Sequence, residues 1–143
     1  MKLVANNLYR GARPKSATHI SGAVQTVICL QSGFRNLLTN DAYERTFLAD
    51  YDIKEYRIHC SDIWPPQRWH VETFLRKVQA AERDGKKVLV HCMSGVDRTG
   101  FMCAVYRMRV QGWKFEQAYD EWVSEGRHFW YDWWKKALRG YQL

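Results

Sequence analysis

Short apolar runs along the chain predict buried strands, and longer stretches with helical spacing separate them. The runs at 23–30 and 88–91 are rich in apolar and β-branched residues, which is typical of strands inside a sheet, and 55–60 is a third strand candidate. A further short strand, with the character of a sheet edge, is predicted within 7–14, where it leads into a turn. The pattern therefore predicts several short strands distributed along the chain.

Helical spacing between and after these strands predicts the remaining elements. A short helix is predicted at 42–49 and a longer one at 66–84. Residues 101–106 are apolar almost all round, as expected for a helix buried against a sheet. The next helix has one apolar face, formed by Phe115, Ala118, Tyr119 and Trp122.

The C-terminal stretch is unusually aromatic. A helix here would carry one apolar face, formed by Trp130, Trp133, Trp134, Ala137, Leu138 and Tyr141. Two interpretations are open. The helix either docks on the body of the domain through this face or, given the neighbouring basic residues Lys135, Lys136 and Arg139, contacts a partner or a membrane surface.

Strands interleaved with helices indicate an α/β fold with a central, mainly parallel sheet flanked by helices. The chain has 143 residues, which is enough for one domain with a single core and too few for two ordinary domains. Its composition is globular, with 46% hydrophobic residues and no low-complexity run. We therefore expect a single domain over residues 1–143, and a monomer.

The net charge of +7 attracts phosphorylated substrates, but also nucleic acid or anionic lipid. The basic residues are scattered rather than gathered in a tract, so a nucleic-acid partner is not expected. No segment approaches the roughly 20 apolar residues of a membrane span, and no signal peptide is evident, so a cytoplasmic location is expected. The four cysteines lack paired metal-ligand spacing, so neither a metal nor a disulfide framework is predicted.

The candidate chemistry lies directly after the strand at 88–91. Five residues separate Cys92 from Arg98, and a helix begins near Thr99. A loop of that length can direct its backbone N–H groups inward around an anion, and Gly95 permits the backbone angles required. The same N–H dipoles stabilise a thiolate and lower its pKa, while the guanidinium binds two phosphate oxygens. The alternative is that Cys92 is a buried small residue that ends a strand.

This stretch resembles the signature loop of the cysteine-dependent protein tyrosine phosphatase superfamily, in which His-Cys is followed by five residues, Arg, and Ser or Thr. Those positions are occupied here by His91, Cys92, Arg98 and Thr99. The resemblance implies a compact, atypical dual-specificity phosphatase-like fold over essentially the whole chain.

The resemblance also implies a two-step mechanism that needs no metal or other cofactor. Cys92 attacks phosphorus, Arg98 and the loop N–H groups hold the phosphoryl oxygens, and Thr99 donates its hydroxyl to the sulfur. Phosphate binding is assigned to the loop residues Met93, Ser94, Gly95, Val96, Asp97 and Arg98. His91 is expected to anchor the loop through hydrogen bonds. Asp97 is either a second acid or, as we favour, a residue that holds the loop.

The general acid implied by the resemblance is Asp62, which precedes Cys92 by 30 residues. It follows the strand at 55–60 in a loop that contains Pro65 and Pro66, and the carboxyl ends of parallel strands share one rim of a sheet. An alkyl or aryl oxide is a poor leaving group unless it is protonated as it departs, which is the role of this acid. The alternative is a turn residue that bonds to its own backbone.

Arg10 belongs to a Tyr-Arg-small-x-x-Pro opening similar to that of compact dual-specificity phosphatases. It either supports the active-site loop from below or is an exposed strand residue. Cys60 ends a strand expected near the Cys92 loop, so a reversible disulfide between the two would protect the thiolate from overoxidation; the alternative is that Cys60 is a core residue.

The resemblance predicts a phosphatase for phosphotyrosine and phosphoserine or phosphothreonine in proteins. A separate tyrosine-recognition loop has no counterpart here, which favours a shallow pocket and broader substrates. The Gly-x-Asp-Arg ending of the loop is similar to lipid- and inositol-directed members, although Val96 stands where those often have Lys. The first alternative is therefore a phosphatase for inositol phosphates, phosphoinositides or RNA 5′-phosphates, so that the substrate is a phosphorylated protein or a small-molecule phosphoester. The second alternative is an inactive phosphate-binding module.

Overall fold

The computed structural model describes residues 1–16, 20–31, 48–93, 95–127 and 132–143. Its strands are β1 (Lys2–Leu3), β2 (Leu8–Gly11), β3 (Thr26–Cys29), β4 (Lys54–Arg57) and β5 (Val88–His91). Its helices, as far as the described residues define their bounds, are α1 (Arg68–Arg83), α2 (Asp97–Arg109), α3 (Phe115–Ser124) and α4 (Asp132–Arg139). The predicted α/β fold is confirmed. The predicted helix at 42–49 falls, apart from its last two residues, outside the described residues.

The strands form one sheet in the order β1-β2-β5-β3-β4. Among the described strands, β2, β5, β3 and β4 run parallel and β1 is antiparallel to its neighbour, so the mainly parallel sheet is as predicted. β5 lies at the centre, where His91 pairs with Gly11 on one side and with Cys29 on the other. All four residues of β5 are buried, which explains its continuous apolar run. The loop after β5 therefore leaves the sheet in the middle of its carboxyl edge.

The prediction that the strand within 7–14 is an edge strand is wrong. β1 pairs with β2, with Lys2 opposite Arg10 and Leu3 opposite Tyr9, so β2 is an inner strand. A strand of two exposed residues shows no alternation of polar and apolar positions, which is why the sequence pattern did not reveal β1. As a consequence, Arg10 lies inside the sheet and is buried.

Helix α1 begins at Arg68, two residues later than the predicted start. Gln67 is the N-cap residue in extended conformation, and its backbone N–H donates to Nδ1 of His70 at 2.9 Å. This bond satisfies a donor at the helix terminus, where backbone N–H groups lack partners inside the helix. The start is therefore set by a side-chain cap rather than by Pro66.

Helix α2 forms the centre of the core and, as predicted, is buried almost all round. Phe101 makes edge contacts with Trp122 of α3 and Trp134 of α4, with ring centroids 5.8 and 5.9 Å apart, and with Tyr141 at 6.1 Å. The C-terminal helix thus docks on the body through Trp134, Leu138 and Tyr141, which are all buried. In the described part of the chain, no helix combines the length and the apolar character needed to cross a membrane.

Candidate active site

The loop from Cys92 to Arg98 joins the central strand to the N-terminus of α2. Cys92 is only 2% exposed and lies at the base of this loop. Helix α2 begins at Asp97, slightly earlier than predicted, so Arg98 and Thr99 belong to its first turn. Both of these side chains are buried. Ser94 lies outside the described residues.

Gly95 is required by the fit between this loop and the end of β2. Its φ is +76°, a conformation that residues with a side chain rarely adopt. A Cβ at this position would lie 2.5 Å from the carbonyl oxygen of Gly11 and 2.9 Å from the backbone nitrogen of Ala12. Because these obstacles are backbone atoms, the loop can approach β2 this closely only with glycine.

The end of β2 also supports the loop through hydrogen bonds. Nη2 of Arg10 donates to the carbonyl oxygen of Gly95 at 2.9 Å, and the N–H of Arg13 donates to the carbonyl oxygen of Met93 at 3.4 Å. Arg10 is therefore a buried residue beneath the loop and not an exposed strand residue. His91 is fully buried, and its Nδ1 lies 3.1 Å from the carbonyl oxygen of Cys92.

Trp122 holds the other side of the loop, a contact that the sequence pattern did not indicate. Its indole Nε1 donates to the carbonyl oxygen of Val96 at 3.0 Å. A Cβ on Gly100 would lie 2.2 Å from Cδ1 of Trp122, so glycine in the first turns of α2 leaves room for the indole. In the sequence, helical spacing places Trp122 on an apolar helix face and indicates nothing more about it. Its N–H, which a buried Trp usually directs at an acceptor, was the available signal.

The electrostatic environment of Cys92 favours the thiolate. Burial by itself raises the pKa of this thiol, but the hydrogen bond from the Thr99 hydroxyl and the positive charge of Arg98 act in the opposite direction. Backbone N–H groups of Thr99 and Gly95 add to the lowering, and the pKa of Cys92 lies below its ordinary value. Thr99 is fully buried, and its hydroxyl acts on the Cys92 thiol as a donor that favours the thiolate and lowers its pKa.

Arg98 connects the loop after β5 with the segment that carries Asp62. Its Nη1 donates to the carbonyl oxygen of Cys60 at 3.3 Å. Asp62, which is partly exposed, follows two residues later. The two loops therefore share one rim of the sheet, as the order of parallel strands predicts. Cys60 is buried beside Arg98 and Cys92, and desolvation raises the pKa of its thiol to about 12.

The turn around Asp62 is held from two sides. The Ser61 hydroxyl oxygen accepts the backbone N–H groups of Ile63 at 3.0 Å and of Trp64 at 3.1 Å. On the other side, the carbonyl oxygen of Ile63 accepts the indole N–H groups of Trp134 at 2.7 Å and Trp133 at 2.9 Å. The aromatic C-terminal helix thus reaches the loop that carries the candidate acid.

The C-terminal helix shows only part of the predicted face. Trp134 is fully buried, whereas Trp133 is 43% exposed and lies against the ring of Trp64, with centroids 6.4 Å apart. Trp130 lies outside the described residues. Within the part of the chain that is described, no group of three or more His, Cys, Asp or Glu side chains is arranged to hold a metal ion.

Comparison with known proteins relates this geometry to one family. The family model "Dual specificity phosphatase, catalytic domain" matches residues 30–130. The dual specificity protein phosphatase TpbA of Pseudomonas aeruginosa is 51% identical over 51 residues, which cover 36% of this chain and 23% of TpbA. The match therefore spans about a quarter of the length of that relative.

Solved structures extend the similarity to most of the fold. TpbA in complex with phosphotyrosine superimposes with a TM-score of 0.68 and 29% identity, covering 85% of this chain and 71% of the other. A mutant form of Tk-PTP superimposes with a TM-score of 0.80 at 19% sequence identity, covering 97% of this chain and 93% of the other. The core catalytic domain of the PP-IP phosphatase SIW14 from S. cerevisiae superimposes with a TM-score of 0.72 at 21% sequence identity, covering 87% of this chain and 74% of the other. From the family match over residues 30–130 and the fold it accompanies, the chain belongs to the dual specificity phosphatase family.

Proposed function

We propose that this chain is a cysteine phosphatase that hydrolyses phosphomonoesters through a phosphocysteine intermediate. The observation that carries the proposal is the environment of Cys92, whose pKa is lowered although the thiol is buried. In a cysteine that serves only as a core residue, desolvation raises the pKa of the thiol. Cys103 is an example, because burial raises the pKa of its thiol to about 12.

In the first step, the thiolate of Cys92 attacks phosphorus. A sulfur–phosphorus bond forms while the bond from phosphorus to the leaving oxygen breaks, and Asp62 transfers its proton to that oxygen. Arg98 and the inward N–H groups of the loop hold the phosphoryl oxygens as charge moves between attacking and leaving atoms. Arg98 is buried and already linked to the carbonyl oxygen of Cys60, so its side chain is oriented before substrate binds.

In the second step, water replaces the sulfur. Asp62, now a carboxylate, takes a proton from water as the new oxygen–phosphorus bond forms and the sulfur–phosphorus bond breaks. The thiolate that leaves receives the hydrogen bond of Thr99 and the charge of Arg98, the same groups that lower its pKa in the free enzyme. Inorganic phosphate is released and the starting protonation state is restored.

Phosphotyrosine and phosphoserine or phosphothreonine in proteins are the substrates we propose first, because the family and TpbA carry dual specificity in their names. A second candidate substrate class is an inositol phosphate or phosphoinositide. It is supported by the loop ending Gly95-Val96-Asp97-Arg98, which is similar to that of lipid- and inositol-directed members, and by the net charge of +7, which attracts anionic substrates. The same charge also suits an RNA 5′-phosphate.

The test is phosphate release by the wild type, Cys92→Ser and Asp62→Asn. The panel contains phosphotyrosine and phosphoserine peptides, inositol phosphates, phosphoinositides and 5′-phosphorylated RNA, with a chelator present. The expected result is release from peptides that Cys92→Ser abolishes and that Asp62→Asn reduces about 10²–10⁴-fold. Preference for an inositol or RNA substrate would move the function to the second class. Binding of phosphate ligands without release from any substrate would make the chain a recognition module and contradict the proposal.

A further inference from the structure

Two tryptophans in contact with each other reach the two loops of the candidate site. Trp122 donates its indole N–H to the carbonyl oxygen of Val96 in the phosphate loop at 3.0 Å. Trp134 donates its indole N–H to the carbonyl oxygen of Ile63, next to Asp62, at 2.7 Å. The two rings pack against each other, with centroids 6.3 Å apart.

These indoles are held rigidly. Both pack edge-on against Phe101, with interplanar angles of 82° and 89°, and Phe101 belongs to the helix that begins in the phosphate loop. Trp122 is 1% exposed, and Trp134 and Phe101 are fully buried. We refer to Phe101, Trp122 and Trp134 as the aromatic bridge. Close packing of three large rings leaves little freedom to shift one loop relative to the other.

The contact with Ile63 completes the support of the turn around Asp62. On one side of this turn, the Ser61 hydroxyl oxygen accepts two backbone N–H groups. On the other side, the Ile63 carbonyl oxygen accepts the indole N–H of Trp134. Trp133 also donates to this carbonyl, but it is 43% exposed and its bond therefore competes with water. The bond from Trp134, whose side chain is fully buried, is the better shielded of the two, and the aromatic bridge joins Trp134 to the helix that carries Arg98 and Thr99.

We infer that Trp134 is a positioning residue, which acts through the Ile63 carbonyl to fix the Asp62 carboxyl relative to Cys92. The inference rests on the proposed function, in which Asp62 protonates the leaving oxygen. Proton transfer of this kind depends on geometry, and a misplacement of about 1 Å can reduce a rate about 10²-fold. A substrate whose leaving group is already a stable anion does not need the proton and is insensitive to the displacement.

The test compares two aryl phosphates of similar size, one that releases a strongly acidic phenol and one that releases a weakly acidic phenol. The value of kcat/KM reports transition-state stabilisation from free enzyme and substrate. Trp134→Phe retains an aromatic ring against Phe101 and removes the N–H donor. We expect kcat/KM to fall at least about tenfold for the weakly acidic phenol, part of the full general-acid effect of about 10²–10⁴-fold, and to stay within about twofold for the acidic one.

Trp122→Phe is the matched control. It removes the corresponding N–H from the phosphate loop, which both substrates need, so kcat/KM falls by a similar factor for both. A second control introduces Trp134→Phe into Asp62→Asn. If Trp134 acts through the acid, the double variant is no slower than Asp62→Asn alone. An equal loss on both substrates from Trp134→Phe, or a further loss in the double variant, would overturn the inference.

The outcome also separates this inference from the proposed function. If Cys92→Ser retains phosphate release or Asp62→Asn does not distinguish the two phenols, the proposed function fails. If both behave as proposed and Trp134→Phe does not distinguish the phenols, only the positioning role fails. Thermal unfolding establishes that each variant is folded. If Trp134→Phe does not fold, benzothienylalanine at position 134, in which sulfur replaces the indole N–H, makes the same change at nearly constant ring volume.

Discussion

The guanidinium of Arg10 donates to the carbonyl oxygen of Gly95 at 2.9 Å and thereby links an inner strand of the sheet to the loop from Cys92 to Arg98. Both residues are buried, so replacing Arg10 leaves a buried carbonyl without its donor.

Arg10→Met is therefore expected to reduce the free energy of unfolding by about 1–3 kcal/mol and to raise KM for phosphoester substrates, because the loop N–H groups lose their alignment. Urea unfolding and steady-state kinetics measure the two effects. Arg76→Met, which removes the same charge from the exposed surface of α1, is the control. Equal effects of the two substitutions would show that charge, and not the contact with Gly95, is responsible.

Gly95→Ala tests whether the loop depends on its close approach to β2. The new Cβ would meet the Gly11 backbone at 2.5 Å in a residue with positive φ. Strain and overpacking together predict a loss of about 2–5 kcal/mol in the free energy of unfolding and loss of phosphatase activity.

Gly112→Ala is the matched control for this substitution. Gly112 has a similar φ of +73°, but nothing lies within 4 Å of its added Cβ. It therefore carries only the conformational cost of about 1–2 kcal/mol and retains activity. Losses of equal size in chemical denaturation would show that the backbone of Gly11 can move aside.

Because the Thr99 hydroxyl lowers the pKa of Cys92, we predict how the alkylation rate of Cys92 depends on pH. Because the pKa of Cys92 is lowered, its thiolate persists to lower pH than that of an ordinary thiol, and its alkylation rate should have a midpoint below the ordinary one. Thr99→Val removes the hydroxyl at nearly constant volume, so the midpoint moves to higher pH. Thr99→Ser retains the hydroxyl and should leave the midpoint near that of the wild type.

Thr99→Val also slows turnover, because the sulfur leaves as a thiolate in the second step of the proposed reaction. One hydrogen bond to this group corresponds to a loss of about tenfold in kcat. Iodoacetamide labelling followed by peptide mapping gives the midpoints, with the buried Cys103 as an internal reference that stays unlabelled near neutral pH, since its pKa is raised to about 12. An unchanged midpoint in Thr99→Val would contradict the contact with sulfur.

The parts of the fold that local sequence determines were predictable. The continuous apolar run of β5 and the spacing from Cys92 to Arg98 are local features, and they indicated a strand, a connecting loop and a helix in the right order. In contrast, β1 has two exposed residues and no periodic pattern. It becomes visible only through its pairing with β2, which is why the position of β2 in the sheet was predicted wrongly.

The supports of the candidate site depend on contacts between distant residues. The bond from Trp134 to the Ile63 carbonyl joins residues 71 positions apart, and the bond from Arg10 to Gly95 joins residues 85 apart. Helical periodicity assigns such tryptophans to an apolar face, but it does not indicate which carbonyl their N–H reaches. The fold class is therefore predictable from one sequence, and candidate reactive groups can be proposed from it. The residues that would align those groups become apparent only in the tertiary structure.

Cys60 and Cys92 allow a final prediction, that mild oxidation joins them in a disulfide. The two thiols interact electrostatically within the described site, and Arg98 lies beside both. Peroxide oxidises the Cys92 thiolate to a sulfenic acid; attack by the Cys60 sulfur then forms the disulfide and releases water. Since the pKa of Cys60 is raised to about 12, few of its thiols are deprotonated near neutral pH, so the second step is slow and accelerates as pH rises.

Peptide mapping after peroxide at two pH values measures the linked and overoxidised forms. We expect more Cys60–Cys92 linkage at the higher pH, and in Cys60→Ser a smaller fraction of activity that a reductant restores. Cys103→Ser, which removes another buried thiol with a similarly raised pKa, should recover like the wild type. Mapping that detects only sulfenic or sulfinic Cys92, with no link to Cys60 at either pH, would show that the pair does not protect the thiolate and that Cys60 is a core residue.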